Sequence, residues 1–102
     1  MENRYETMDE VTLMETADVF KALGNVTRVK ILAVLMEREA RGLDIAERIG
    51  MSPSAVSHQL AVLKSARILR GRRDGKDVYY ALADAHIRMV VEAIFEHVEE
   101  DL

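Results

Sequence analysis

Four side chains near one end of this 102-residue chain have the types and spacing to hold a metal ion. In "DAHIRMVVEAIFEHVEE", residues 84–100, Asp84 stands two positions before His86, and His97 three before Glu100. Imidazole nitrogen and carboxylate oxygen together can make up a tetrahedral metal-ion set. On a helix, i and i+3 share a face, so His97 and Glu100 can share an ion. Asp84 and His86 can do the same where the aspartate precedes the regular turns. Eleven residues at about 100° each bring His97 back close to the face of His86, roughly 16 Å further along the axis. Metal–nitrogen bonds are about 2 Å, so both histidines of one straight helix cannot hold one ion. Each end is therefore half a site. If two copies pair antiparallel across a two-fold axis, the Asp84/His86 end of one meets the His97/Glu100 end of the other. Two identical sites per dimer result, each with two nitrogens and two oxygens. Val90 and Ile94 supply an apolar contact between the helices. The same residues also have plainer uses. Asp84 is a good N-cap, Glu96, Glu99, Glu100 and Asp101 make a solvated acidic end, and His97 suits a helix C-terminus.

The rest of the chain must position these groups. Its length is that of one domain, and 49% apolar residues suffice for a small core. Residues 1–8 read as a flexible terminus and 9–102 as the folded domain. No apolar run is long enough to span a bilayer, and the acidic start does not resemble a signal peptide, so a cytoplasmic protein with no membrane partner is expected. With no cysteine there is no disulfide framework, thiolate metal site or thiol sensor. No Gly-rich or nucleophile motif appears, which argues against an enzyme and against a small-molecule substrate. Net charge is −4. Lys64, Arg67, Arg70, Arg72, Arg73 and Lys76 nevertheless crowd one segment, opposed there only by Asp74. Local charge of this kind decides binding to a polyanion.

Helical spacing of Leu13, Met14, Ala17, Phe20 and Leu23 predicts a first helix from about Asp9, stopped by Gly24-Asn25. Val29, Ile31, Leu32, Leu35 and Met36 mark a second. Residues 40–42 read as a connector, and "LDIAERIG" as a short third helix. "MSPSAVSHQLAVLKSA" opens a fourth, with Ser52 as N-cap, Pro53 at its first position, and Val56, Leu60 and Leu63 facing inward. "RILRGRRDGKDVYYALA" then alternates, with Asp74-Gly75 as a hairpin turn. A last helix starts near Ala85. The order is helix-helix-helix-helix-hairpin-helix: mainly α with a small β-hairpin. The third and fourth helices fit a helix-turn-helix. Ser54, Ser57, His58, Gln59 and Lys64 form its polar outer face, able to reach base edges or phosphates of double-stranded DNA. Arg72, Arg73 and Lys76 would grip a neighbouring backbone. Solvated faces of a small helical domain are the alternative. His58, in a Ser/Gln-rich stretch with no carboxylate nearby, reads as a surface or phosphate-contacting residue.

"VFKALGNVTRVKIL", "SAVSHQLAVLKSARIL" and "RRDGKDVYYAL" resemble, in this order, the ArsR/SmtB family of winged helix-turn-helix repressors. The resemblance covers roughly residues 16–100. It implies a homodimer built on the first and last helices, a recognition helix at Pro53–Ala66 and a wing at Leu69–Leu82. It also implies that an inducer, usually a metal ion, lowers DNA affinity. The family's zinc-sensing branch carries D-x-H at the start of the last helix and H-x-x-(H/E) beyond it; Asp84, His86, His97 and Glu100 match position by position. The family's thiolate site would fall on the helix at Leu43–Gly50, where this chain has Leu43, Asp44 and Ile45 and no cysteine. Nickel sensors that add terminal histidines also fit poorly, since only Asp101 and Leu102 follow Glu100. The resemblance thus implies four-coordinate Zn(II), two ions per dimer, with Co(II) as a mimic. The apo dimer would repress at operator DNA and zinc would relieve repression. It further implies a link from His97 to the backbone carbonyl of Arg67, whose N–H could reach the Leu63 carbonyl. Two alternatives stand beside this: a metal-independent DNA-binding regulator with a vestigial site and, more remotely, a small zinc enzyme.

Overall fold

Four of the five helices begin where a side chain satisfies a backbone N–H that the helix leaves over; the third alone has no such cap. The computed structural model describes residues 3–100. In it, Asp9 Oδ1 accepts from the Thr12 N–H at 2.7 Å and starts α1 (Glu10–Leu23). Asn25 Oδ1 accepts from the Arg28 N–H at 3.0 Å and starts α2 (Val26–Glu37). After β1 (Ala40–Arg41) and α3 (Gly42–Ile49), Ser52 Oγ accepts from the Ala55 N–H at 3.2 Å ahead of α4 (Pro53–Ser65). The strands β2 (Leu69–Asp74) and β3 (Asp77–Leu82) follow. Asp84 Oδ1 then accepts from the Ile87 N–H at 2.9 Å and opens α5 (Ala85–Glu100). Met1, Glu2, Asp101 and Leu102, the outer ends of the expected loose terminus and folded domain, lie outside the described residues.

The core sits where α2, α3 and α4 meet the base of the hairpin. Ile31, Ile45, Val56, Leu63 and Ile68 are fully buried, with Leu32, Leu35 and Leu60 packed around them. Between α3 and α4 the chain reverses at Gly50, whose φ of +70° an L side chain rarely adopts. The Met51 N–H closes this turn on the Ala46 carbonyl at 3.0 Å.

Two details differ from the sequence reading. The connector at 40–42 contains a strand: Ala40 pairs with Tyr80 and Arg41 with Tyr79, so the sheet is three-stranded and antiparallel, in the order β1-β3-β2. Two residues are too few to carry an alternation, which is why this strand escapes detection. The hairpin turn is also shifted by one residue. Asp74 pairs with Asp77, which leaves Gly75 and Lys76 as the loop. Gly75 has φ +65° and Lys76 does not have positive φ. That is the signature of a type II′ turn, in which glycine takes the first central position.

The end of α4 is closed by a left-handed residue that is not glycine. Arg67 has φ +62°. Its N–H donates to the Lys64 carbonyl at 3.0 Å, and the Ile68 N–H donates to the Leu63 carbonyl at 2.9 Å. This is a Schellman closure, usually completed by glycine.

The outer helices contribute little to the core. α1 buries only Ala22 and α5 only Val91. Val11, Met14 and Phe20 on α1, and Met89, Val90, Ile94 and Val98 on α5, remain exposed.

Candidate nucleic-acid interface and metal half-sites

A helix turns about 100° per residue, so the buried stripe Val56-Leu60-Leu63 defines the opposite face of α4. Ser54, Ser57 and His58 lie outward and are exposed. Between α4 and the wing runs a groove of about 290 Å³, lined by Pro53, Ser57, Lys76, Val78 and Tyr80 among others. It brings a hydroxyl of the recognition helix and the ammonium-bearing residue of the wing tip to one surface. A phosphate backbone could lie there, held by charge and hydrogen bonds. Lys64 lies at the seam. A side chain on Gly71 would begin 3.6 Å from the Lys64 ammonium, which places Lys64 over β2, and 3.3 Å from Val78 of β3.

The remaining cations divide by strand alternation. Arg73 pairs across from Val78, and Arg72 from Tyr79. Arg72 does not reach freely into solvent. Its guanidinium binds Glu39 and stacks over the Tyr79 ring, 4.9 Å from the centroid. The hydrogen bond from Arg72 holds the Glu39 carboxyl below its ordinary 4.5. This side chain fastens the wing to the segment ahead of β1, whereas Arg73 and Lys76 form no ion pair among the described residues.

Gln59 also differs from the sequence reading. It is half-buried, and its Oε1 accepts from Arg28 Nη1 at 2.9 Å. Arg28 Nε donates to the Ala22 carbonyl at 2.6 Å, and Nη2 to the Lys21 carbonyl at 3.4 Å. The sequence alone does not single out Arg28, because nothing in helical spacing distinguishes an inward-reaching arginine from a solvated one. His58 lines an open groove whose far wall includes Asp18 of α1, and no ion pair or hydrogen bond joins the two among the described residues.

The four candidate ligands are all exposed on or beside α5. Asp84 is used as the N-cap through Oδ1, and its other oxygen has no hydrogen-bond partner among the described residues. It borders a groove with Glu39, Arg70 and Arg88, and Arg88 Nη1 donates to the Met36 carbonyl at 2.8 Å. On the helical wheel His86, Met89, Val90, Ala93, His97 and Glu100 form one exposed stripe, with donors at the ends and apolar groups between. Among the described residues no three His, Cys, Asp or Glu side chains come together within one chain. Each end presents one nitrogen and one oxygen donor, a set suited to Zn(II) only when a second pair meets it. Asp44, on the helix where a thiolate site would fall, is paired with Arg41 at 2.9 Å, which lowers its carboxyl from the ordinary 3.8. The backbone relay takes a different course from the one expected: Ile68, not Arg67, donates to the Leu63 carbonyl. The left-handed turn at Arg67 redirects its N–H to Lys64.

A helix-turn-helix with a basic hairpin beside its second helix defines a winged DNA-binding regulator. The model of the bacterial regulatory protein arsR family matches residues 25–70. The chain is 36% identical over 95 residues to a transcriptional repressor SmtB homolog of Synechocystis, covering 93% of this chain and 72% of that protein. It is 46% identical over 88 residues to a cadmium resistance transcriptional regulatory protein CadC homolog of Staphylococcus aureus, covering 85% and 73%. In structure it matches the homodimeric winged helix-turn-helix DNA-binding domain of a possible ArsR-family regulator from Mycobacterium bovis. There the TM-score is 0.87 at 28% identity, over 93% of this chain and 91% of that one. The chain belongs to the ArsR family: it is a transcriptional regulator and not an enzyme.

Proposed function

We propose that the chain is a homodimeric, metal-responsive repressor formed by residues 9–102. In this reading the apo dimer binds operator DNA, and Zn(II) bound by Asp84 and His86 of one subunit with His97 and Glu100 of the other lowers that affinity. The observation that carries it is the exposed stripe on α5. An apolar strip with a donor pair at each end is what two antiparallel copies need in order to pair and complete two sites. The homodimeric Mycobacterium structure supports pairing, and the repressor SmtB homolog supports repression. The Staphylococcus relative is named for cadmium resistance, but a chain without cysteine lacks the soft donors cadmium favours, and nitrogen–oxygen donors suit Zn(II) and Co(II). The ion supplies a cross-link between subunits. The protein supplies the lever: Ser54, Ser57, His58 and Lys64 of the two subunits must meet successive major grooves at a fixed spacing, with Arg73 and Lys76 on the neighbouring backbone, and a change of subunit arrangement misplaces them.

The use of Asp84 as a cap beside Arg70 and Arg88 favours the second reading, a regulator whose metal site is vestigial. One titration separates the two. Protein bound to a duplex selected from a randomised pool is titrated with Zn(II), Co(II) and Ni(II). Release at two ions per dimer, with an intense tetrahedral Co(II) spectrum and no thiolate charge-transfer band, fits the proposal. DNA binding that ignores all three metals fits the vestigial site.

A further inference from the structure

We propose that Arg28 is a positioning residue that sets the recognition helix against α1, so that movement of the outer helix reaches the DNA-reading helix through one guanidinium. The inference rests on the reading of α4 as the DNA-binding helix and α1 as part of the dimer contact. Three observations carry it. First, α1 is otherwise lightly attached: only Ala22 is buried, with Val19 and Leu23 partly buried against the core. Open grooves of about 470 and 360 Å³ separate much of α1 from α4. Second, Arg28 spans the two helices at one end of that gap. Nε and Nη2 hold the Ala22 and Lys21 carbonyls at the C-terminus of α1, and Nη1 holds Gln59 of α4. Last-turn carbonyls lack helical partners and carry the negative end of the helix dipole, so a cation suits them. Third, the root of Arg28 is fixed, because its own N–H is bound by the Asn25 cap of α2.

Chemistry fixes the polarity of the link. Arginine only donates, so the Gln59 atom facing it is the carbonyl oxygen. The planar fork also sets spacing as well as charge. A lysine would keep the charge but present a single flexible point. An amide that reads adenine offers both its oxygen and its nitrogen, and here one lone pair of that oxygen is committed to Arg28.

The test uses full-length dimers of the parent, Arg28→Lys, Gln59→Met and the double variant, with folding checked by circular dichroism. The probe is a duplex selected by the parent from a randomised pool. Each single variant is expected to bind it about tenfold more weakly, and the double variant no more weakly than either, because the two side chains act as one unit. The salt slope and the preferred base at every position should stay as in the parent. Independent losses that multiply would overturn the proposal. So would parental affinity in both singles, a salt slope lower by about one for Arg28→Lys, or relaxed preference at one base pair for Gln59→Met alone. Amide hydrogen exchange without DNA supplies a second reading. Gln59→Met should speed exchange at the C-terminal turn of α1, and unchanged exchange there would sink the link. If the parent selects no duplex, DNA binding by α4 is what fails, and the exchange result alone decides whether Arg28 joins the two helices.

Discussion

Asp84 holds two positions at once, N-cap and candidate ligand, and substitutions can separate them. Asparagine caps a helix about as well as aspartate but is a neutral, weaker metal ligand. Asp84→Asn should therefore leave urea stability within about 0.5 kcal/mol of the parent while weakening zinc binding. Asp84→Ala should lose the cap as well, about 1 kcal/mol. Equal zinc affinity in parent and Asp84→Asn would remove Asp84 from the site. Arg72 and Lys76 separate two uses of a basic residue in the same way. Lys76→Ala should weaken binding to every DNA sequence alike and make the salt dependence shallower by about one unit. Arg72 is engaged by Glu39 and Tyr79, so Arg72→Ala should change that slope much less. The Glu39 carboxyl is held low by the hydrogen bond from Arg72. A lowered folded pKa means that its contribution is complete above the ordinary 4.5 and is lost as pH falls through the folded value. Protection of the β1–β3 and β2–β3 amides, the ratio of intrinsic to observed exchange rate, should therefore fall on acidification below that value. The loss of protection should be smaller in Glu39→Gln, and an identical profile in the two proteins would show that the pair does not hold the wing.

The recognition helix and wing act as one element, and the hinge between them is the left-handed Arg67. A non-glycine residue there costs on the order of 1 kcal/mol. Arg67→Gly should recover up to about that amount in a urea melt, and Arg67→Ala should recover none. If alanine gained as much as glycine, backbone strain would not be the cause. Helical elements of this kind were legible in the sequence because their spacing and caps are local: Ser52-Pro53 and Gly50 mark their ends without any tertiary information. What stayed hidden depends on neighbours distant in sequence. The two-residue β1 exists only because Tyr79 and Tyr80 lie beside it. Gln59 looks like a base reader because it is polar, yet its partner lies 31 positions away. Arg72 looks like a phosphate contact, but Glu39, 33 positions earlier, claims it. For the candidate metal site the ligand types and their two-ended spacing can be read from one chain. Their convergence cannot, because it requires a second copy.

At the scale of the molecule, the proposed split site has a consequence that no single-chain site shares. His86→Ala and His97→Ala homodimers should each bind zinc poorly. Co-expressed with different tags, they should form heterodimers in which one site regains all four ligands, giving up to about one tight site per heterodimer. A purified heterodimer no better than either parent would place the ligands elsewhere. The sparse anchoring of α1 and α5 has a consequence for how such a protein is maintained in a cell. In the proposed homodimer, helices that bury one residue each obtain the rest of their cover from association, so folding of the outer layer and pairing become a single mass-action event. The melting temperature should then rise with protein concentration, whereas one that does not depend on dilution would mean the exposed faces are not the contact. It follows that copy number is itself an input to the response. A cell making too few chains would hold regulators with an intact reading head and an unfinished frame. Such regulators would be silenced by scarcity before any inducer arrives.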